Sequence, residues 1–249
     1  MSGHSKWHSI KHKKAVVDAR RGQQFTKLAR AITVAAREGG GDPDGNPSLA
    51  LAVQKARDAS MPKDNIERAI AKGTGEAVDA DQIETVLYEG YGPGGVALLI
   101  EALTDNRNRT GADVRHAFSK QGGNLGEPGS VSYLFEKRGA ITIDASRYDE
   151  DDLIAAIDAG ALDIERDEDV LEVITEPGDL TSVREALEGS GVEIESANLI
   201  QRPKSRVPVG EPDAQKLLRL IDALEDSEDV SAVHANFDVE ADVLERIAG

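Results

Sequence analysis

Near the start of the chain, apolar side chains recur at intervals of three and four residues, the spacing that lines one face of a helix. They are Phe25, Leu28, Ala29, Ile32, Ala35 and Ala36. A glycine-rich break at 39–45 follows, and Asn46 before Pro47 has the residue types of a helix cap and first turn. Pro62 is expected to begin a third helix that ends at Gly73. The pattern predicts a small helical bundle.

Beyond an acidic stretch, the hydrophobic period shortens to that of strands. Strands are predicted at 85–91, 95–103 and 130–135, with a helix at 110–120. Residues 139–201 then alternate in the order β-α-β-β-α-β, which is the order of a ferredoxin-like fold. A last helix near 217–224 and a last strand near 231–237 cannot form a domain alone, so we expect them to complete the earlier sheet.

The prediction is therefore an α+β fold of three domains: an N-terminal helical bundle plus two α/β domains, the last ferredoxin-like and inserted in the middle one. The basic helical N-terminal domain with its arm is placed at 1–81. The discontinuous middle domain is placed at 82–138 and 206–249, and the inserted acidic domain at 139–205.

Charge is distributed unevenly along the 249 residues. The net charge is −17, yet residues 1–37 hold nine Lys and Arg against a single acid, Asp18. Residues 1–72 carry a net charge of +7, so the rest of the chain carries −24. This asymmetry indicates an N-terminal part that binds a polyanion, on an acidic body that would repel bulk DNA and RNA. The alternative is an ordinary solvated basic face.

The most basic stretch, 3–14, also contains an aromatic side chain. Lysines can neutralise phosphates, and Trp7 or histidine rings can stack on bases, so we predict nucleic-acid contacts in this arm. His4, His8 and His12 would align on a helix. The neighbouring lysines would repel a cation, which disfavours a metal site.

A second candidate anion site is the segment 104–111, between a predicted strand and a predicted helix. Arg107 and Arg109 could clamp a phosphate there, beside the N–H groups at the start of the helix. Alternatively, Asp105 or Asn108 caps the helix and the arginines pair with nearby acids. The local chemistry leaves both interpretations open.

Several functional classes are disfavoured by the sequence. The chain has no cysteine, which excludes disulfides, thiolate nucleophiles and cysteine-ligated metals. No apolar run approaches the ~20 residues of a membrane span, and no secretory signal is recognised. The glycine-rich segments match no phosphate-binding fingerprint, and no catalytic constellation is found. We expect a non-enzymatic protein of the cytoplasm without a cofactor, a metal or a membrane partner.

Motifs in order along essentially the whole chain resemble those of one family. They include Gly3-His4-Ser5-Lys6-Trp7, Ile10-Lys11-His12-Lys13-Lys14, Phe25-Thr26-Lys27-Leu28, Asp64-Asn65-Ile66-Glu67-Arg68, Tyr88-Glu89-Gly90-Tyr91-Gly92-Pro93-Gly94-Gly95 and Thr104-Asp105-Asn106-Arg107-Asn108-Arg109-Thr110. The sequence is similar to the YebC/PmpR family, which includes the mitochondrial translational activator of cytochrome c oxidase subunit I. It departs from the family pattern locally, at His8-Ser9 and Val16-Val17.

The resemblance implies a three-domain, non-enzymatic protein without an obligatory cofactor. Bacterial members are described as cytoplasmic, DNA-binding transcriptional regulators, and members are also described as ribosome-associated factors that relieve stalling, including at proline runs. The thin basic arm and the acidic body favour structured RNA, whereas the family description favours transcription. We predict a DNA-binding transcriptional regulatory protein, with a translation factor that binds ribosomal RNA as the alternative.

The residues predicted to contact nucleic acid, whether DNA or ribosomal RNA, lie in the arm, in the first helix and in the arginine-containing segment. They are Lys6, Trp7, Lys11, His12, Lys13, Lys14, Arg20, Arg21, Lys27, Arg107 and Arg109. The ribosome itself is a further expected partner under the alternative. The sequence does not indicate an oligomeric state.

Overall fold

The structure is a computed structural model that describes Trp7 and residues 18–76, 83–167 and 169–248. The helices are α1 (Asp18–Gly39), α2 (Pro47–Asp58), α3 (Lys63–Gly73), α4 (Arg107–Lys120), α5 (Ile154–Asp158), α6 (Leu180–Gly189), α7 (Glu211–Glu225) and α8 (Ala241–Ala248). The strands are β1 (Glu84–Tyr91), β2 (Ala97–Thr104), β3 (Asn124–Leu125), β4 (Phe135–Asp144), β5 (Ala161–Asp167), β6 (Val170–Thr175), β7 (Ser196–Pro203), β8 (Val207–Pro208), β9 (Val230–Ala235) and β10 (Phe237–Asp238). The predicted α+β class is confirmed.

Contacts divide the chain into two compact units. The larger unit comprises Lys11–Val131 and Val209–Val233, and the smaller unit comprises Met1–Ile10, Ser132–Pro208 and His234–Gly249. The larger unit therefore holds both the N-terminal helices and a four-stranded sheet in the order β3-β1-β2-β9. The three-domain bounds given above stay a prediction.

The first three helices form the bundle that their apolar spacing predicts. Ile32 of α1, Leu49 and Val53 of α2 and Ile66 of α3 are buried in one cluster. Asn46 caps α2 as expected, because its side chain accepts a hydrogen bond from the N–H of Leu49 at 3.1 Å. Its amide also donates hydrogen bonds to carbonyl oxygens at the end of α1, so this one residue links α1 and α2 through hydrogen bonds.

In the sheet of the larger unit, β1 and β2 pair antiparallel from Glu84 opposite Thr104 to Tyr91 opposite Ala97. The connecting turn places Gly94 at φ 74°, a left-handed conformation that favours glycine. Helix α4 packs on this sheet through Phe118, which is fully buried. A Cβ at Gly90 of β1 would lie 2.7 Å from the Phe118 ring, so the missing side chain permits the close approach.

The predicted strand at 130–135 is wrong. Residues Ser132–Leu134 form a short 3₁₀ turn, and β4 begins only at Phe135. The N–H groups of Gly129 and Val131 instead donate to the buried carboxylate of Glu89, each at 2.7 Å. Backbone donors that bind a side chain cannot also build a strand ladder, which explains the difference.

The smaller unit contains the ferredoxin-like sheet, and that part of the predicted fold is confirmed. Strand β4 pairs antiparallel with both β6 and β7, and β5 pairs with β6, which gives the order β5-β6-β4-β7. Helices α5 and α6 contact each other and the sheet. Helix α8 was not predicted, and α4 begins three residues before its predicted start. None of the described helices combines the length and the apolar character needed to cross a membrane.

Candidate nucleic-acid interface

Much of the predicted interface lies outside the described residues. This holds for Lys6, Lys11, His12, Lys13 and Lys14. Arg20 lies on α1, but its side chain is outside the described part of the structure. Their contacts with nucleic acid therefore stay predictions.

Trp7 of the smaller unit is buried, with 6 % of its surface exposed. Stacking on a base requires an open ring face, so Trp7 would have to leave this buried position to make that contact. Base stacking by Trp7 stays a prediction, and the structure adds the condition that it needs a conformational change.

The basic side chains of α1 differ in accessibility: some are exposed, and others are hydrogen-bonded within the protein. Arg21 is exposed, and its guanidinium lies 5.6 Å from the centroid of the Phe25 ring. Lys27 is half-buried and donates from Nζ to the carbonyl oxygen of Glu225. Burial lowers the pKa of Lys27, while the nearby carboxylates of Glu225 and Asp226 oppose that change. Arg21 is thus the more accessible of the two for a phosphate.

Both arginines of the segment 104–111 lie in the first turn of α4. Asn106 caps the helix by accepting a hydrogen bond from the N–H of Arg109 at 3.1 Å. The proposed caps Asp105 and Asn108 were therefore wrong, and Asn106 lies between them. Arg107 and Arg109 are consequently fixed on a helix, where residues two apart point to different sides.

Arg109 points to a buried carboxylate, that of Asp229, whose side chain is 6 % exposed. The guanidinium of Arg109 donates to Asp229 at 2.8 Å, and Arg30 of α1 donates at 2.6 Å. The hydroxyl of Thr110 donates at 2.6 Å, and that of Thr104 lies 3.3 Å away. These contacts, which we call the Asp229 cluster, join α1, β2, α4 and the segment that precedes β9.

The ionisation of Asp229 follows from the balance of these contacts. Burial by itself would raise the pKa of Asp229. Hydrogen bonds from Thr110, Arg109 and Arg30 outweigh burial, so the pKa lies below its ordinary value. Local sequence patterns missed this residue because Asp229 follows Arg109 by 120 positions. The sequence indicated such a contact only through the alternative interpretation that Arg107 and Arg109 pair with acidic residues.

Arg107 has a different environment from Arg109. Its side chain is 68 % exposed, and its nearest acidic oxygen, on Glu84, is 3.7 Å away. It borders an open concavity of about 530 Å³ between α4 and β1. The concavity is lined by Val86, Tyr88, Arg107, Asn108, Gly111, Ala112 and Arg115. Arg115 and Tyr88 were not predicted as binding residues, although Tyr88 begins a glycine-rich family motif. Arg115 follows Arg107 by eight residues and so shares its helix face.

Substituting the two arginines separately should distinguish their roles. Arg109→Ala is expected to lower the free energy of unfolding more than Arg107→Ala does, because hydrogen bonds to a buried carboxylate are lost, although the partial exposure of Arg109 limits that loss. Arg107→Ala should change it by less than about 0.5 kcal/mol. Urea denaturation of both variants measures this. Equal stabilities would contradict the structural role of Arg109.

Acidic and histidine side chains are the residue types that could ligate a metal ion in a chain without cysteine. Within the part of the chain that the structure describes, no group of three or more such residues could hold a metal ion.

The sequence matches two family models that together span most of the chain. Residues 5–76 match the TACO1/YebC protein N-terminal domain, and residues 83–237 match the TACO1/YebC second and third domain. A crystal structure of a conserved hypothetical protein, Aq1575, from Aquifex aeolicus is similar, with a TM-score of 0.84 and 51 % identity. The match covers 93 % of this chain and 96 % of that one.

Curated relatives are similar over their full lengths. A protein of Rubrobacter xylanophilus is 55 % identical, with all of both chains covered. One of Persephonella marina is 53 % identical with the same coverage, and one of Acidothermus cellulolyticus is 54 % identical, covering 99 % of this chain and all of the relative. Each of the three is named a probable transcriptional regulatory protein. From its opening motif to its last sheet strand, the chain belongs to the TACO1/YebC family.

Proposed function

We propose that this protein is a non-enzymatic, nucleic-acid-binding regulator of gene expression in the cytoplasm, and that it acts as a DNA-binding transcriptional regulator. The observation that carries the proposal is its full-length similarity to relatives that bear the name of transcriptional regulators. The concentration of nine basic residues in positions 1–37 supports a polyanionic partner. The three-domain division at 1–81, 82–138 with 206–249, and 139–205 belongs to the same proposal.

A specific observation favours ribosomal RNA as a second candidate partner. The chain beyond residue 72 carries a net charge of −24, which repels an extended duplex, whereas the basic residues of the arm can neutralise the phosphates of a structured RNA. Under this alternative, the protein binds the ribosome through its N-terminal arm and assists translation.

Crosslinking in growing cells, followed by sequencing of the attached nucleic acid, separates the two candidates. Enrichment of discrete promoter DNA is the expected result for a transcriptional regulator. Enrichment of a few ribosomal RNA positions, with promoter DNA at background, would replace that function by the translational one. Recovery of neither nucleic acid would contradict both.

The arm itself is tested by replacing Lys11, Lys13 and Lys14 together by alanine. Loss of three phosphate contacts should reduce the slope of log affinity against log salt by about 2–3. Fluorescence anisotropy with a labelled nucleic acid across a salt series measures the slope. The charge-matched control replaces Lys120, Lys137 and Lys216, whose side chains lie outside the arm. If the arm variant and the control show the same slope of log affinity against log salt, the arm does not bind the phosphate backbone of the nucleic acid.

A further inference from the structure

The concavity between α4 and β1 combines features that the family match does not explain. Its volume of about 530 Å³ lies within the ~300–1,000 Å³ typical of sites for small organic ligands. Its rim is open, so an extended chain could enter and leave it. Its lining, listed above, contains two arginines, a tyrosine and an asparagine, all from one sheet strand and one helix of the larger unit.

Positive charge is concentrated on α4, in contrast to the strongly acidic chain. The helix carries four basic residues other than histidine and one acid, Asp113. Arg107 is 68 % exposed, and the guanidinium of Arg115 makes no ion pair or hydrogen bond with any residue that the structure describes. Two accessible guanidinium groups on one helix face are suited to bind a phosphate, since each offers several N–H donors in a planar arrangement.

Tyr88 supplies an aromatic wall to the same concavity. Its hydroxyl donates a hydrogen bond to the carbonyl oxygen of Arg107 at 3.2 Å, which orients the ring relative to α4. Burial raises the pKa of Tyr88 despite the opposing charge of Arg107, so the phenol stays neutral at physiological pH. On the helix side, the residue next to the ring is Gly111, where even a Cβ would lie 3.5 Å from the tyrosine oxygen. That distance is an ordinary van der Waals contact, and Tyr88 and Gly111 both line the concavity.

We propose that this concavity binds one unpaired nucleotide of a single-stranded nucleic acid. Arg107 and Arg115 bind its phosphate, Tyr88 stacks on its base, and the exposed amide of Asn108 hydrogen-bonds the base edge. An unpaired nucleotide fits because a base within a duplex has both faces covered by neighbouring bases and its pairing edge occupied. The inference rests on the proposed nucleic-acid-binding function, and it locates a site separate from the N-terminal arm.

Binding of the full-length protein to labelled single strands of twelve uridines or twelve thymidines tests this site. Arg115→Ala and Tyr88→Leu are each expected to weaken binding by about tenfold, through loss of a phosphate contact and of base stacking respectively. Tyr88→Phe should retain binding within about threefold because the stacking ring remains. Lys120→Ala, an exposed change on the same helix outside the concavity, is the matched control and should have less than about a twofold effect.

A site-directed readout comes from single strands that carry 4-thiouridine or 4-thiothymidine, crosslinked by light and mapped by mass spectrometry. Adducts in the β1 or α4 peptides support the proposal, and whichever strand binds more tightly identifies RNA or DNA as the source. Binding to a matched hairpin duplex as tight as to the single strand would overturn it. Binding of free uridine monophosphate that the single strands do not displace would also overturn it, in favour of a small nucleotide.

The outcomes for this site and for the proposed function are distinguishable. If the Lys11, Lys13 and Lys14 variant loses affinity while Arg115→Ala and Tyr88→Leu bind like the unmodified protein, the nucleic-acid function stands and the site in the concavity is wrong. If the unmodified protein binds neither single strands nor duplexes, both proposals fail together. Thermal unfolding of each variant checks that a lost affinity does not come from a lost fold.

Discussion

Replacing Asp229 by alanine is expected to lower the free energy of unfolding by about 3–5 kcal/mol, measured by urea denaturation. The substitution removes the acceptor of charged hydrogen bonds from Arg30 and Arg109 and of a hydroxyl hydrogen bond from Thr110. Arg30 should contribute more to this loss than Arg109, because its side chain is only 19 % exposed and would keep its charge without the carboxylate. Removing one member of a buried ion pair costs more than the pair contributes when intact.

The matched control is Asp105→Ala, which removes the other carboxylate that contacts Arg109. That carboxylate is 46 % exposed, and its pair with Arg109 joins the residue before the helix cap to the first turn of α4 at the surface. We expect a loss of at most about 0.5 kcal/mol. If the two aspartate variants are equally stable, the Asp229 cluster does not hold the N-terminal helices to the sheet as described.

Acid should weaken the same cluster in a defined range of pH. Because the folded state lowers the pKa of Asp229 below its ordinary 3.8, the carboxylate stabilises the fold fully above that value. The contribution is lost as the pH falls through the lower pKa of the folded state. Asp229→Asn should therefore show a shallower decline in stability below about pH 4 than the unmodified protein. Parallel acid declines would contradict the assignment.

The second large effect is expected at Glu89 of β1, whose carboxylate is buried and accepts hydrogen bonds from two backbone N–H groups. Glu89→Ala leaves two N–H groups without this acceptor: that of Val131, which is buried, and that of Gly129, which lies on an exposed residue in a partly buried hydrogen bond. A buried donor that loses its partner costs about 1–3 kcal/mol and a partly buried one costs less, so we expect a total loss of about 2–4 kcal/mol. Chemical denaturation measures the loss, and hydrogen exchange at residues 129 and 131 locates it.

Two further variants separate hydrogen bonding from simple loss of charge. Glu89→Gln keeps one acceptor oxygen for one of the two N–H groups and should lose about half as much stability. Glu127→Ala removes an exposed carboxylate from the same loop and should change stability by less than about 0.5 kcal/mol. A glutamine variant as unstable as the alanine variant would mean that the charge itself, rather than the two hydrogen bonds, holds the loop.

Local sequence patterns were sufficient to predict the elements that are stabilised by residues nearby in the sequence. The cap at Asn46 and the apolar face that includes Ile32 depend on neighbours within a few positions, and both are found as predicted. The alternation of elements that gives the ferredoxin-like order is also a local property repeated along the chain. The prediction of a strand at 130–135 was wrong because the N–H of Val131, within that range, donates to the carboxylate of Glu89, 42 residues earlier.

The sequence by itself determined that this is an α+β protein of the TACO1/YebC family with a basic N-terminal stretch on an acidic chain. Residue types at short spacing and net charge carry that information without any knowledge of distant contacts. Only the tertiary structure decided which of the two arginines in the first turn of α4 is engaged and which is accessible. Arg109 meets Asp229 because the fold brings together side chains 120 positions apart in the sequence, whereas Arg107 borders an open concavity between α4 and β1.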